Sequence, residues 1–468
     1  MVFASLEFLT LFLPLFLAVY ALARPQYRNA VLLFSSWVFY GWWSPLFLLL
    51  FVCLALTGWV GGLVIGLGKT ERQRGWALTL FIGINLSLLC WFKYANILVE
   101  TMNTTLLATG ALSMEWQRVV LPIGLSFIVL QSISYLIDVY RRTVPVDHSF
   151  ISFGAYQSMF VHLIAGPIIR YEWVKRELVS RPFDWEHFSL GARRFMVGMS
   201  MKVLIADTLS PLVDAIFSLG NPSFADAWTG CIAYGLQLFF DFAGYSAMAI
   251  GLGMMLGFRF PENFNNPYIS VSIQDFWRRW HLSLSSWIRD YLYIPLGGNR
   301  QGNGRTYVNL LLTMSIAGLW HGGDSWNFFL WGAAHGIALC VDRFWTRAGM
   351  PDLPVFVSRI ATLLFVFLAW TTFRAHTFDA ALDMYAGQFG LHTMQYSETM
   401  LTMLRPSHWL AVALGVASVI VPAMQPRIDK LVPAPVLTVL GFWPLFAFLL
   451  SFALIASRGA VPFLYFQF

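Results

Sequence analysis

The chain is a succession of apolar runs, most of them close to the length that crosses a lipid bilayer, joined by shorter charged segments. The runs lie near residues 6–23, 30–43, 46–67, 77–98, 119–139, 151–169, 195–218, 227–257, 306–321, 325–345, 355–374, 408–424 and 436–456. Crossing the hydrocarbon takes about 20 residues of helix. Only structures that satisfy their own backbone hydrogen bonds survive there. The pattern therefore predicts an all-α, polytopic membrane protein of about eleven transmembrane helices. The short 30–43 and 306–321 pieces are expected to be tilted, broken or re-entrant. Composition excludes the soluble alternative. Hydrophobic residues make up 58% and charged residues 12%, against roughly 25% charged in a soluble domain, so too few polar groups exist to coat such a core.

The formal net charge is +6. In a membrane chain this excess belongs to cytoplasmic loops and anionic headgroups, not to nucleic acid. Arg24 and Arg28, then Lys69, Arg72 and Arg74, then Arg141 and Arg142 are separated by pairs of runs. Alternation puts all three clusters on the cytoplasmic side and the 99–118 loop outside. The charge pattern at the N-terminus predicts a retained first helix with its start outside. Cys53, Cys90, Cys231 and Cys340 each sit in an apolar run and are expected to be buried, with no disulfide and no metal site. No internal repeat is visible, so residues 1–468 read as one membrane domain with a catalytic core over about 120–340. Residues 170–194 and 258–305 are the cytoplasmic or interfacial segments.

Within the second segment, QDFWRRWHLSLSSWIRDY (274–291) sorts on a helical wheel. Phe276, Trp277, Trp280, Leu284, Trp287, Ile288 and Tyr291 share one arc, with arginines, aspartates and serines opposite. One amphipathic helix lying in the membrane interface is expected, with His281 at the edge of its apolar arc. The following IPLGGNRQGNGRTY (294–307) lacks the phosphate-loop pattern and is expected to be a turn.

An ionisable side chain in an apolar span is costly and points to function. LLLTMSIAGLWHGGDSWNFFLWGAAHGIAL (310–339) holds His321, Asp324 and His335. Gly322 and Gly323 should break the helix after His321 and allow a close backbone approach. A histidine can take and return a proton, as acyl transfer to a hydroxyl requires. No G-x-S-x-G elbow and no HExxH occurs, so a covalent serine route and a zinc hydrolase lack support.

At these residues the chain resembles the membrane-bound O-acyltransferases. The matching stretches include RNAVLLFSSWVFYGWW (28–43), LPIGLSFIVLQSISYLIDVYR (121–141), HLIAGPIIR (162–170), DFAGYSAMAIGLGMMLGFRFPENFNNPYIS (241–270), FWRRWHLSLSSWIRDYLYIPLGGNR (276–300) and GLWHG (318–322). The family's two signature positions fall on His281 and His321. The resemblance implies that His321 is catalytic and that His281 lies on the cytoplasmic approach, within a tunnel through the membrane. Trp320, Trp280, Asp324, His335, Arg278 and Tyr245 are expected to support the site or line that tunnel. The implied donor is acetyl-CoA or another acetyl thioester, with no bound cofactor. The implied acceptor is an exported polysaccharide of the alginate or cellulose type, reached with periplasmic serine-hydrolase-like partners across the bacterial inner membrane. Besides lipid, no other partner class is implied. A transporter or flippase of a polysaccharide export system, and a scaffold for periplasmic partners, are the alternatives. The first would be expected to carry repeated halves, and the second would not need two such histidines.

Overall fold

The computed structural model describes residues 1–164, 166–431 and 441–464; the start of the run near 436–456 lies outside them. Among the described residues every regular element is helical. Five helices are long and apolar enough to cross a membrane: Pro45–Leu67, Glu71–Ala108, Trp185–Phe217, Phe224–Met255 and Val355–Arg374. Shorter apolar helices accompany them at Phe8–Leu22, Leu125–Tyr140, Pro406–Pro422 and Trp443–Arg458.

The chain divides into two compact units. The first comprises Met1–Phe195 and Ala249–Pro261. It contains α1 (Leu13–Leu22), α2 (Arg28–Gly41), α3 (Pro45–Leu67), α4 (Glu71–Ala108), α5 (Leu125–Tyr140), α6 (Phe150–Ser158), α7 (Phe160–Leu163) and α8 (Tyr171–Val179). Its centre is α5, buried on nearly every face. Helix α3 receives α5 on a small-residue stripe, where a Cβ on Gly62 would sit 2.5 Å from Tyr135 and one on Gly61 2.8 Å from Leu136. Small residues permit such close helix contacts in lipid.

The second and third basic clusters meet. Arg74 is buried and donates to the Val139 and Tyr140 carbonyls at 3.1 and 2.7 Å, closing the C-terminal end of α5. Glu71 accepts from both Arg74 and Arg142. Arg28 donates to the Arg181 carbonyl and Asn29 to that of Leu178, which ties the first cluster to the end of α8.

Three expectations are corrected in this unit. Helix α4 continues through 99–108, into the expected outer loop. At about 57 Å long it exceeds a bilayer core. The returning chain is pinned to its end by Asn103 with Met114 and by Asn96 with Val119. The 151–169 run is not one helix. It breaks at Met159, because Ser36 Oγ on α2 accepts the Phe160 N–H at 3.0 Å and takes that donor out of the helical ladder. Cys53 and Cys90 are exposed, not buried, because an apolar run does not specify which face points inward.

The second unit comprises Met196–Met248 and the described residues from Glu262 onward. It holds most of α11 (Phe224–Met255) and the whole of α10 (Asp207–Phe217), while α9 (Trp185–Ser200) contributes its last turn. Then come α12 (Ile273–Trp277), α13 (Leu282–Ile288), α14 (Asn303–His321), α15 (Asn327–Arg347) and α16 (Val355–Arg374). The 306–321 run belongs to α14, which is unbroken and lies on α15 at backbone contact. A Cβ on Gly318 would sit 2.3 Å from the Phe328 carbonyl oxygen, and one on Gly332 2.3 Å from that of Met314.

The expected single helix over 274–291 is two short helices with a break at His281. His281 has φ +45° and ψ +56°, a left-handed conformation that ends helical propagation. Backbone groups around the break find their partners in the 263–265 segment. Leu282 N–H donates to the Asn263 carbonyl at 2.9 Å, Ser283 N–H to Asn263 Oδ1 at 3.2 Å, and Asn265 N–H to the Arg279 carbonyl at 2.9 Å.

Candidate active site

His321 is the last residue of α14, and Gly322 leaves the helix in extended conformation. The glycine is required there, since a Cβ would lie 1.9 Å from the Phe328 ring. His321 is therefore held where helix ends and close packing begins. Its ring stands perpendicular to Trp331 at 5.2 Å between centroids, with Trp320 at 5.1 Å and Phe373 at 5.5 Å.

His281 faces it. The two imidazole centroids are 6.5 Å apart, with the rings tilted by 51°. His281 is fully buried against Phe242, at 4.6 Å, and Trp320, at 6.4 Å. Neither of its ring nitrogens has a hydrogen-bond partner among the described residues. Burial alone pushes its pKa down to about 3, so the ring is neutral at physiological pH and offers one donor and one acceptor. A buried imidazole in strained backbone with both nitrogens unbonded is costly to stability and is the kind of feature found at functional sites.

Asn263 maintains that strain. It is buried, binds both the backbone and the hydroxyl of Ser283, and donates to Ser246 Oγ at 3.0 Å. The helical wheel offers no sign of this clamp, although the polar PENFNN stretch beside apolar runs was a signal.

The remaining expected residues fall into four groups. Trp320 borders both histidines. His335 is linked to His321 through Trp331, whose ring lies 4.8 Å from one and 5.2 Å from the other. Its Nδ1 accepts from Trp277 Nε1 at 3.3 Å, which braces α12 against α15. Trp280 and Tyr245 are buried one layer out: Trp280 among Phe264, Phe276 and Trp370, and Tyr245 against Phe463, which also touches Phe242. Arg278 and Asp324 are exposed and are not among the ring contacts of either central histidine.

Next to Phe242 in the chain, Asp241 belongs to a buried ionic cluster. Lys202 Nζ is 2.5 Å from Asp207 and 2.7 Å from Asp241, with side-chain exposures of 3–4%. Asp241 also accepts the Leu464 N–H at 2.7 Å, and Lys202 reaches the Pro462 carbonyl at 3.4 Å. The cluster thus seats Phe463 on Phe242 and Tyr245. Charged groups in apolar helices were the signal.

The sequence model of the MBOAT, membrane-bound O-acyltransferase, family matches residues 40–378, which span both histidines. The chain belongs to this family. It is a multi-pass membrane protein and an O-acyltransferase. Among its relatives is the probable alginate O-acetylase AlgI of Pseudomonas aeruginosa, 47% identical over 400 residues, or 85% of this chain and 76% of that protein. The peptidoglycan O-acetyltransferase of Helicobacter pylori is 33% identical over 79% of this chain and 75% of its own length. The teichoic acid D-alanyltransferase of Bacillus subtilis is 27% identical over 48% of this chain and 60% of its own length.

Proposed function

We propose that the chain is a membrane O-acetyltransferase of the bacterial inner membrane, which takes an acetyl group from a cytoplasmic thioester and moves it outward for O-acetylation of an exported polysaccharide. The observation that carries this reading is the pair of facing imidazoles, His281 and His321, in an apolar enclosure. The relatives' names, alginate O-acetylase and peptidoglycan O-acetyltransferase, support acetyl as the group and a polymer as the final acceptor. Acetyl-CoA, or a carrier-borne thioester with the same reactive end, is the donor. Serine-hydrolase-like proteins of the periplasm complete delivery.

In the transfer, a hydroxyl oxygen attacks the thioester carbonyl carbon. His321 takes the hydroxyl proton as the C–O bond forms. Neutral His281 donates its ring N–H to the carbonyl oxygen as charge develops there. The C–S bond then breaks, and the proton passes from His321 to the departing thiolate. The ester and a free thiol are the products.

The test is His321→Ala in cells, with membrane insertion verified and ester-linked acetate measured on the exported polymer. Loss of proton transfer should lower acetylation by about 10²–10⁴-fold while export continues. Normal acetylation in the variant would refute the assignment. Failed export with intact acetyl transfer would favour a transporter.

A further inference from the structure

The first unit carries a pocket of about 250 Å³ that plays no part in the chemistry above. Its lining includes Arg28, Arg176, Glu177, His187 and Arg259. Arg181, buried and bonded to the lining residues Tyr20 and Glu177, is already engaged. Its Nε donates to the Tyr20 hydroxyl at 3.0 Å, and its two Nη groups donate to the Glu177 carbonyl and to Asn29 Oδ1. The other three arginines differ. No carboxylate pairs with Arg28, Arg176 or Arg259 among the described residues. Arg28 Nε and His187 Nε2 are buried without a hydrogen-bond partner among the described residues. Glu177 Oε2 is in the same condition. The other lining carboxylate, Asp184, is turned to the backbone, where it accepts from Glu186 N–H at 2.9 Å.

Three arginines and an unbonded histidine nitrogen ask for an anion with several oxygens. One unbonded carboxylate oxygen beside them asks for a donor on the same ligand. A phosphodiester bearing a hydroxyl or an ammonium satisfies both. The volume falls below the roughly 300–1,000 Å³ of sites for drug-sized ligands, so it suits a headgroup, not a whole nucleotide. The rim supports this. Val179, Phe183 and Trp185 are exposed at 88%, 48% and 74%, and Phe183 stacks edge-on to Trp185 at 4.8 Å. Exposed aromatics beside arginines mark the bilayer–water boundary.

We infer that this pocket holds the phosphate of a membrane phospholipid headgroup, with Arg28, Arg176 and Arg259 on the phosphate and Glu177 on the headgroup donor. It is independent of the acetyl-transfer reading and stands or falls separately.

The test titrates the purified full chain, in neutral detergent, with short-chain phosphatidylglycerol, short-chain phosphatidylcholine and CoA, following heat by calorimetry. Phosphatidylglycerol should bind saturably at one site and more tightly than phosphatidylcholine, whose headgroup has no donor for Glu177. Arg176→Gln with Arg259→Gln should weaken binding by about 25-fold, at about fivefold for each arginine. Both residues are exposed, so the fold is not at stake, and the Arg176→Lys, Arg259→Lys pair should retain most of the affinity. CoA that displaced the lipid with the same arginine dependence would keep the phosphate site and assign it to the nucleotide. No saturable binding by either phosphate source, or binding indifferent to the arginines, overturns the inference.

Discussion

Gly318→Ala tests whether the close approach of α14 and α15 sets the position of His321. The new Cβ would lie 2.3 Å from the Phe328 carbonyl oxygen and 2.9 Å from the Gly332 Cα. Comfortable contact needs about 3.5 Å, so the helices must separate locally by about 1 Å. Both obstructing atoms are backbone and cannot turn aside. His321 is one turn further along α14 and shares Phe328 with the contact through Gly322. A shift of about 1 Å in a catalytic group can cost about 100-fold in rate, whereas the overpacking itself costs about 1–3 kcal/mol. The expected variant inserts in the membrane yet transfers acetyl about 100-fold more slowly. Gly304→Ala, with nothing within 4 Å of its Cβ, is the silent control. The assay is acetyl transfer by purified protein, normalised to folded enzyme from a thermal melt. A Gly318→Ala rate within twofold of wild type would refute the geometric argument.

Other outcomes follow from the same contacts. Lys202→Met strands Asp207 and Asp241 without their cation and should cost about 3–5 kcal/mol of stability, read as a lowered melting midpoint; Asp241→Asn leaves the Lys202–Asp207 pair and should cost less. Asn263→Ala removes the clamp on Ser283 and Ser246 and should lower kcat by tenfold or more with the protein still folded, because the left-handed turn at His281 loses its support. His281→Asn should retain more activity than His281→Ala, since asparagine tolerates the left-handed region and keeps a donor; equal rates would contradict a polar role. Trp277→Phe removes the donor to His335 and should cost about 1 kcal/mol with the rate largely retained, since His335 reaches His321 through intervening rings such as Trp331.

The apolar runs made the helical, membrane-spanning class legible, because lipid forces long internally bonded helices wherever polar residues are scarce. His321 was legible for the converse reason, as an ionisable ring followed by glycines. The break at His281 was not. A wheel assumes one uninterrupted helix, and the interruption is imposed by Asn263, which lies outside the segment on the wheel. Cys53 and Cys90 illustrate the same limit, since a run apolar all round does not declare its inner face. Lys202 and Asp241 are far apart in sequence, and only packing reveals that each exists for the other. Arg278 and Asp324 earned attention for their charge, yet both face outward.

The most direct test of the account is acetyl passage across a membrane by the purified chain in vesicles. Proteoliposomes would enclose a hydroxyl-bearing oligosaccharide together with the serine-hydrolase-like partner, with labelled acetyl-CoA supplied only outside. The account predicts acetyl ester inside the vesicles with wild-type protein and about a hundredth of it or less with His321→Ala, at equal protein content. Equal luminal ester from the two proteins would contradict it.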